Sequence, residues 1–332
     1  MAHNRTGDCA LAILLAGCLA ACGLPNPSGP VAEPGVAPPL SSPPAGLIVA
    51  VGDKPEGIAF DPLTGILAVG VRSPDAVLFL DRDGHLLQRV DVSAAPRHLS
   101  FAGPGGPLLV PAERSGDLDV VALPSGDIIA RVRVGRQPHD ALQADGRYFV
   151  TNEFSNTISV VQGADVIATL SGPTQPGGIA AGAGFVGVLG VRSHLLEVFD
   201  PGSLHELATA PAGDGPTHLV AYGDALYVAD TGGSAIILFN ALPVLARVAR
   251  VPVPGRPYGI ALDPVRKRLW VTLTATNSLA EFAVGPTPPT RVASFATVRQ
   301  PNSVAVDPST GRVFVTGTGA GSLQILDPPD AS

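Results

Sequence analysis

Pro55-Glu56-Gly57-Ile58-Ala59-Phe60-Asp61 is the first of seven stretches built alike, and their spacing decides the fold. The same order, a proline and then a short apolar run two or three residues on, returns at Pro96, Pro138, Pro176, Pro216, Pro257 and Pro301. Successive prolines lie 41, 42, 38, 40, 41 and 44 residues apart. A period near forty, with several strand-length apolar runs per unit, is the pattern of sheets stacked radially as blades.

Unit one supplies the template. Gly57–Asp61 is expected as an inner strand, Ile66–Val71 as the second, Ala76–Leu80 as the third and Leu86–Val92 as the outer one. Asp61-Pro62-Leu63-Thr64-Gly65 and Asp83-Gly84 carry the turn chemistry between them. Strands this rich in β-branched and apolar residues belong to sheets covered on both faces. The last unit lacks its fourth strand, while Leu47-Ile48-Val49-Ala50-Val51 precedes the first unit without a partner. Pairing the two removes both free edges. The expected fold is therefore all-β: a seven-bladed β-propeller of four-stranded antiparallel blades, closed by an N-terminal strand. The expected divisions are a signal segment 1–22, a proline-rich tether 23–46, the propeller 47–328 and a short tail 329–332.

Composition agrees and narrows the function. With 39 glycines, 34 prolines and only 15% charged residues, the chain reads as turn-dense β protein rather than helical. Lys54 and Lys267 are the only lysines and the net charge is −7, so nucleic acid is not an expected partner. Cys9, Cys18 and Cys22 all precede the repeats, which leaves the folded ring without disulfide or thiolate chemistry.

Residues 9–22, CALAILLAGCLAAC, are too short to span a membrane as a helix and suit the core of an export signal. Leu15-Ala16-Gly17-Cys18 and Leu19-Ala20-Ala21-Cys22 each resemble the lipobox of bacterial lipoproteins. That resemblance implies lipidation at Cys22, with Cys18 as the alternative, and places the protein on the periplasmic face of the outer membrane. The eight prolines that follow favour an extended tether.

Arg147-Tyr148-Phe149-Val150-Thr151-Asn152, continuing as Ser155-Asn156-Thr157-Ile158-Ser159-Val160-Val161, resembles the YVTN family of propellers. Leu226–Asp230, Leu269–Thr272 and Val313–Thr316 are weaker echoes. The resemblance covers residues 47–328 and implies fold; the family's roles are mixed, so it implies no activity.

In such a ring, the residues after each proline and those leaving each second strand emerge on one face. The first set gives Glu56, Arg97, His98, His139, Asp140, Gly177, Gly178, Thr217, His218, Tyr258 and Asn302 around the channel mouth. The second gives Arg72, Glu113, Asn152, Glu153, Arg192, Asp230 and Thr274 in a wider ring. Titratable groups converging on a central pocket make this face the expected site. Asp61, Asp263 and Asp307 read as turn residues, and His85, His194 and His205 as solvent-facing.

Pro96-Arg97-His98-Leu99-Ser100-Phe101, with Glu113 on the next strand, resembles the PRHLxF…NE segment of the seven-bladed lactonases. Pro138-His139 is similar to that family's second histidine segment. The resemblance implies catalytic roles for Arg97, His98, Glu113 and His139, with His relaying a proton and Arg holding an oxyanion. Here the PH segment follows the PRH segment, in reverse of the family's order, and Ala112 replaces its Asn. Glu56-Gly57 and Pro301-Asn302 resemble metal-binding positions of gluconolactonase-type propellers, and Pro257-Tyr258-Gly259-Ile260 resembles streptogramin lyases. Glu56, His98, His139, Asp140, His218 and Asn302 are donor types suited to a divalent cation at the mouth. No spacing among them specifies one, so no cofactor is assigned. The sequence thus supports a monomeric, lipid-anchored binding or scaffold module engaging an envelope protein, peptide or small polar ligand, with a lactonase-like hydrolase as the alternative.

Overall fold

The computed structural model describes residue 1, residues 30–285 and residues 287–329. Cys18 and Cys22, the expected lipidation sites, lie outside the described residues. Seven four-stranded antiparallel sheets form the ring, one for each repeat proline. Blade 1 has strands Ile58–Phe60, Leu67–Val71, Ala76–Leu80 and Leu86–Asp91, within a residue or two of the expected limits. The hairpin at Asp83-Gly84 is present, with Gly84 at φ +86°. Aspartates close the turns between first and second strands: Asp61 accepts from the Thr64 amide at 2.8 Å, and Asp307 from the Ser309 amide at 2.8 Å.

Blade 7 is completed as expected. Leu47–Ala50 pairs with Ser322–Leu326 in the register Leu47 opposite Ile325 and Ala50 opposite Ser322. Gln324 secures the junction from inside. Its side chain is fully buried, accepts from the Val298 amide at 3.1 Å, and donates to the carbonyls of Ala45 and Ala296 at 2.7 and 2.9 Å.

Apolar residues fill the seven interfaces between blades, one cluster per interface. Leu67, Leu78, Phe314 and Ile325 join blades 7 and 1, and Ala68, Phe79, Leu108 and Val121 join blades 1 and 2. The inner strands of each blade therefore bury both sides, whereas the outermost ones, such as Asp165–Ser171, are exposed.

The entry to each inner strand positions the site. The residue before the proline takes a left-handed conformation at Lys54, Gln137, Gln175, Arg256 and Gln300, with φ between 44° and 60°. A β-bulge follows the proline in blades 3 to 7, for example between Pro138 and Asp140 and between Pro216 and His218. A bulge leaves one residue unpaired and re-aims its side chain. Here it turns the residue after the proline to the channel mouth.

Replacing Gln324 by alanine strands the buried Val298 amide and two carbonyls. The Gln324→Ala chain is expected to lose about 1–3 kcal/mol of stability, read as a lower urea midpoint.

Candidate functional site

Inner-strand entries from blades 2, 3 and 5 bring three histidines together at the mouth. His139 and His218 are buried, and His98 is half-buried against the channel. His98 Nε2 lies 3.0 Å from His218 Nε2, and the His98 ring stacks at a tilt against His139, centroids 4.8 Å apart. His218 Nδ1 lies 3.0 Å from the carbonyl oxygen of Tyr258, whose ring meets the imidazole edge-on.

Charged groups surround this cluster. Glu113, buried just past the second strand of blade 2, pairs with Arg97 Nε at 2.9 Å and with Arg72 at 3.4 Å. Arg72 also reaches Glu56 at 3.2 Å, and Asn302 donates to Glu56 at 3.4 Å. Glu153 stands 3.6 Å from His139 Nδ1, an ion-pair distance, and accepts from Gln175 at 2.8 Å.

Protonation follows from these neighbours. Burial, with His218, His139 and Arg97 close by, holds His98 well below the usual histidine range. Burial and the His139 and Arg97 charges push His218 down to about 3. His139 is buried too, but Glu153 outweighs that and raises it. Burial likewise raises Asp140 to about 7, and raises Tyr258. At neutral pH the mouth thus holds two neutral imidazoles beside one that shares charge with Glu153.

Below the histidines runs a channel cavity of about 190 Å³, lined among others by Ile58, His98, Asp140, Ile179, His218 and Ile260. Asp140 lines it while accepting from the Ala141 amide at 2.9 Å. Above them, a pocket of only about 30 Å³ remains under Val31, Ala32 and Glu33. Residues 30–38 lie across the mouth as extended chain, without helix or strand.

Side chains of the ring hold the backbone of this strap. The Gly35 amide donates to Thr274 Oγ1 at 2.7 Å, and the Ala37 amide to Gln300 Oε1 at 2.9 Å. Gln300 donates back to the Gly35 carbonyl at 2.8 Å, Asn277 to that of Pro38 at 2.9 Å, and Arg256 to that of Glu33 at 2.8 Å. A Cβ on Gly35 would sit 2.9 Å from Ala275 Cβ, so only glycine fits this crossing. From residue 30 the proline-rich segment, which carries no helix or strand, rests on the ring rather than standing clear of it.

Of the expected site residues, Glu56, Arg72, Arg97, His98, Glu113, His139, Asp140, Glu153, His218, Tyr258 and Asn302 meet at the mouth or channel. Asn152 and Asp230 do not. Each is the last residue of a second strand and turns into its own blade. Asn152 donates to Ser159 at 2.9 Å, and Asp230 accepts from the Gly215 amide at 2.9 Å. Arg192 lies one residue too far and reaches the mouth only through Gln175, at 3.1 Å. His85 and His205 are exposed as expected, whereas His194 is buried, its Nε2 3.4 Å from the Pro30 carbonyl. Missed altogether were Gln175, Arg256, Asn277 and Gln300. The signal was available for three of them: Gln175, Arg256 and Gln300 directly precede repeat prolines.

The fold and site define a seven-bladed β-propeller with an ionisable, strapped channel mouth. The sequence matches no protein-family model and no curated protein. Among solved structures it is similar to one of Kuenenia stuttgartiensis hydrazine synthase, at 16% identity and TM-score 0.72 over 83% of this chain and 96% of that one. A chain of the mitotic checkpoint complex gives 16% and 0.74 over 89% and 99%. A streptogramin B lyase gives 12% and 0.71 over 84% and 97%. At these identities the shared property is the ring.

Glu113 is the one acid facing both guanidiniums. Glu113→Ala removes the buried carboxylate that pairs with both Arg97 and Arg72, so a loss of about 1–2 kcal/mol is expected in urea unfolding. Glu56→Ala, whose carboxylate is more exposed, is expected to cost less.

Proposed function

We propose that this chain is an exported, lipid-anchored propeller of the YVTN type that binds an extended, proline-containing peptide of an envelope protein on its channel face. One observation carries the reading: the face already holds such a peptide, residues 30–38 of the same chain, through side chains that address backbone groups. Recognition of backbone amides and carbonyls in an extended segment tolerates many sequences, and proline pre-sets the conformation, lowering the ordering cost. The intramolecular segment then acts as a competitor that a partner displaces.

The lactonase-like alternative draws on the meeting of Arg97, His98, Glu113 and His139. Arg97, however, is engaged by Glu113, and the space above the histidines is taken by the strap. A lactone would have to displace both, so the peptide reading is preferred.

The test uses the full chain with residues 30–38 replaced by a Gly-Ser run of equal length, titrated with a labelled peptide of residues 30–40. Binding with Kd on the order of 10 μM is expected, weaker in the unaltered chain. Asn277→Ala is expected to weaken it by about five- to tenfold, the value of one hydrogen bond, and Gln300→Ala, which removes two, by more. No binding, or binding indifferent to both substitutions, would sink the peptide reading. The anchor is tested separately by labelled palmitate: incorporation is expected in the parent and in Cys18→Ser, and absent from Cys22→Ser.

A further inference from the structure

Peptide capture uses Thr274, Asn277, Gln300 and Arg256; it leaves three converging imidazoles without a task. Their second partners suggest one. A histidine that ligates a metal commonly has its other ring nitrogen fixed by a carbonyl or carboxylate, which sets the tautomer and aims the free lone pair. His218 has this arrangement, its Nδ1 3.0 Å from the Tyr258 carbonyl. The hydrogen therefore resides on Nδ1, and Nε2 presents a lone pair. That lone pair lies 3.0 Å from His98 Nε2. His139 has a carboxylate on the same side, Glu153 at an ion-pair distance of 3.6 Å from Nδ1, close enough to close into a hydrogen bond when the ring turns.

One nitrogen from each of His98, His139 and His218 lies within 4.8 Å of the others. Bonds of 2.0–2.1 Å in a tetrahedral site would set such nitrogens about 3.4 Å apart. The rings would have to close by up to about 1.4 Å to reach that geometry. Carboxylates are at hand to offset a cation's charge: Glu153 stands beside His139, while Glu56 and Glu113 already pair with Arg72 and Arg97. The small pocket touching His139 and His218 has room for a water, and the channel cavity opens beside His98 and His218.

We propose that His98, His139 and His218 form a three-imidazole site for a divalent metal of the zinc class, with its fourth position open to water. Imidazole donors select zinc, cobalt or copper over calcium and magnesium, which prefer oxygen. The ion cross-links the inner-strand entries of blades 2, 3 and 5 at the ring's centre.

The test strips the purified full chain with a chelator and titrates it with zinc alone and with cobalt(II) alone. One ion per chain is expected, with the intense visible bands of tetrahedral cobalt. The pair His98→Asn and His218→Asn together is expected to abolish both. Glu153→Gln is expected to keep the stoichiometry and lower affinity by about 10–100-fold, while His85→Asn, at an exposed histidine, changes nothing. Absence of stoichiometric binding in the parent, or binding retained in the double variant, overturns the site. Should the double variant fail to fold by circular dichroism, the parent's cobalt spectrum decides, and weak octahedral bands overturn it. Zinc binding is read without any peptide, so its failure and that of the peptide reading are separable.

Discussion

Every blade of this ring is apolar on both faces, and that single constraint organises the rest. A four-stranded sheet with Leu67, Val69 and Phe79 on its two sides has no stable existence alone. Each must be covered twice, and seven identical demands are met only by closure. Closure in turn fixes a centre, on which the residues following the proline at each inner-strand entry converge. The site is thus a geometric by-product of packing, and chemistry enters through which residues follow the prolines.

The ring was legible in the sequence because its punctuation is local. Proline, Asp-Pro and Asp-Gly set backbone angles within a few residues, so the period survives whatever else varies. The histidine cluster was legible for the same reason, since His98 and His218 stand two residues after their prolines and His139 one after its own. The wider ring differs from expectation at three positions: Asn152, which accompanies Glu153, and Asp230 lie one residue short, and Arg192 lies one too far. Adjacent residues at a strand end point to opposite sides, so Glu153 faces the mouth while Asn152 faces Ser159. Asp230 occupies the Asn152 position, and the next residue, Thr231, is buried and donates to the Pro257 carbonyl of the neighbouring blade.

The strap was not legible at all. Proline density reveals extended backbone but not where it lies. Its bonds to Thr274, Gln300 and Asn277 join residues more than two hundred positions apart, and no periodicity encodes such pairs. The left-handed residues before the prolines supply the missing link. They hold Gln300 and Arg256 at the rim, where their side chains meet the backbone of the crossing segment.

The closing strand carries a consequence for how the ring comes into being. Leu47–Ala50 is among the first parts of the domain to be synthesised, yet its partner Ser322–Leu326 is among the last. Until that partner emerges, blade 7 has no outer strand and the circle stays open. Local hairpins can form early, but the final contact spans almost the whole domain, a long-range pairing that folds late. The chain therefore stays incomplete, its first strand waiting, until its last strand has been made.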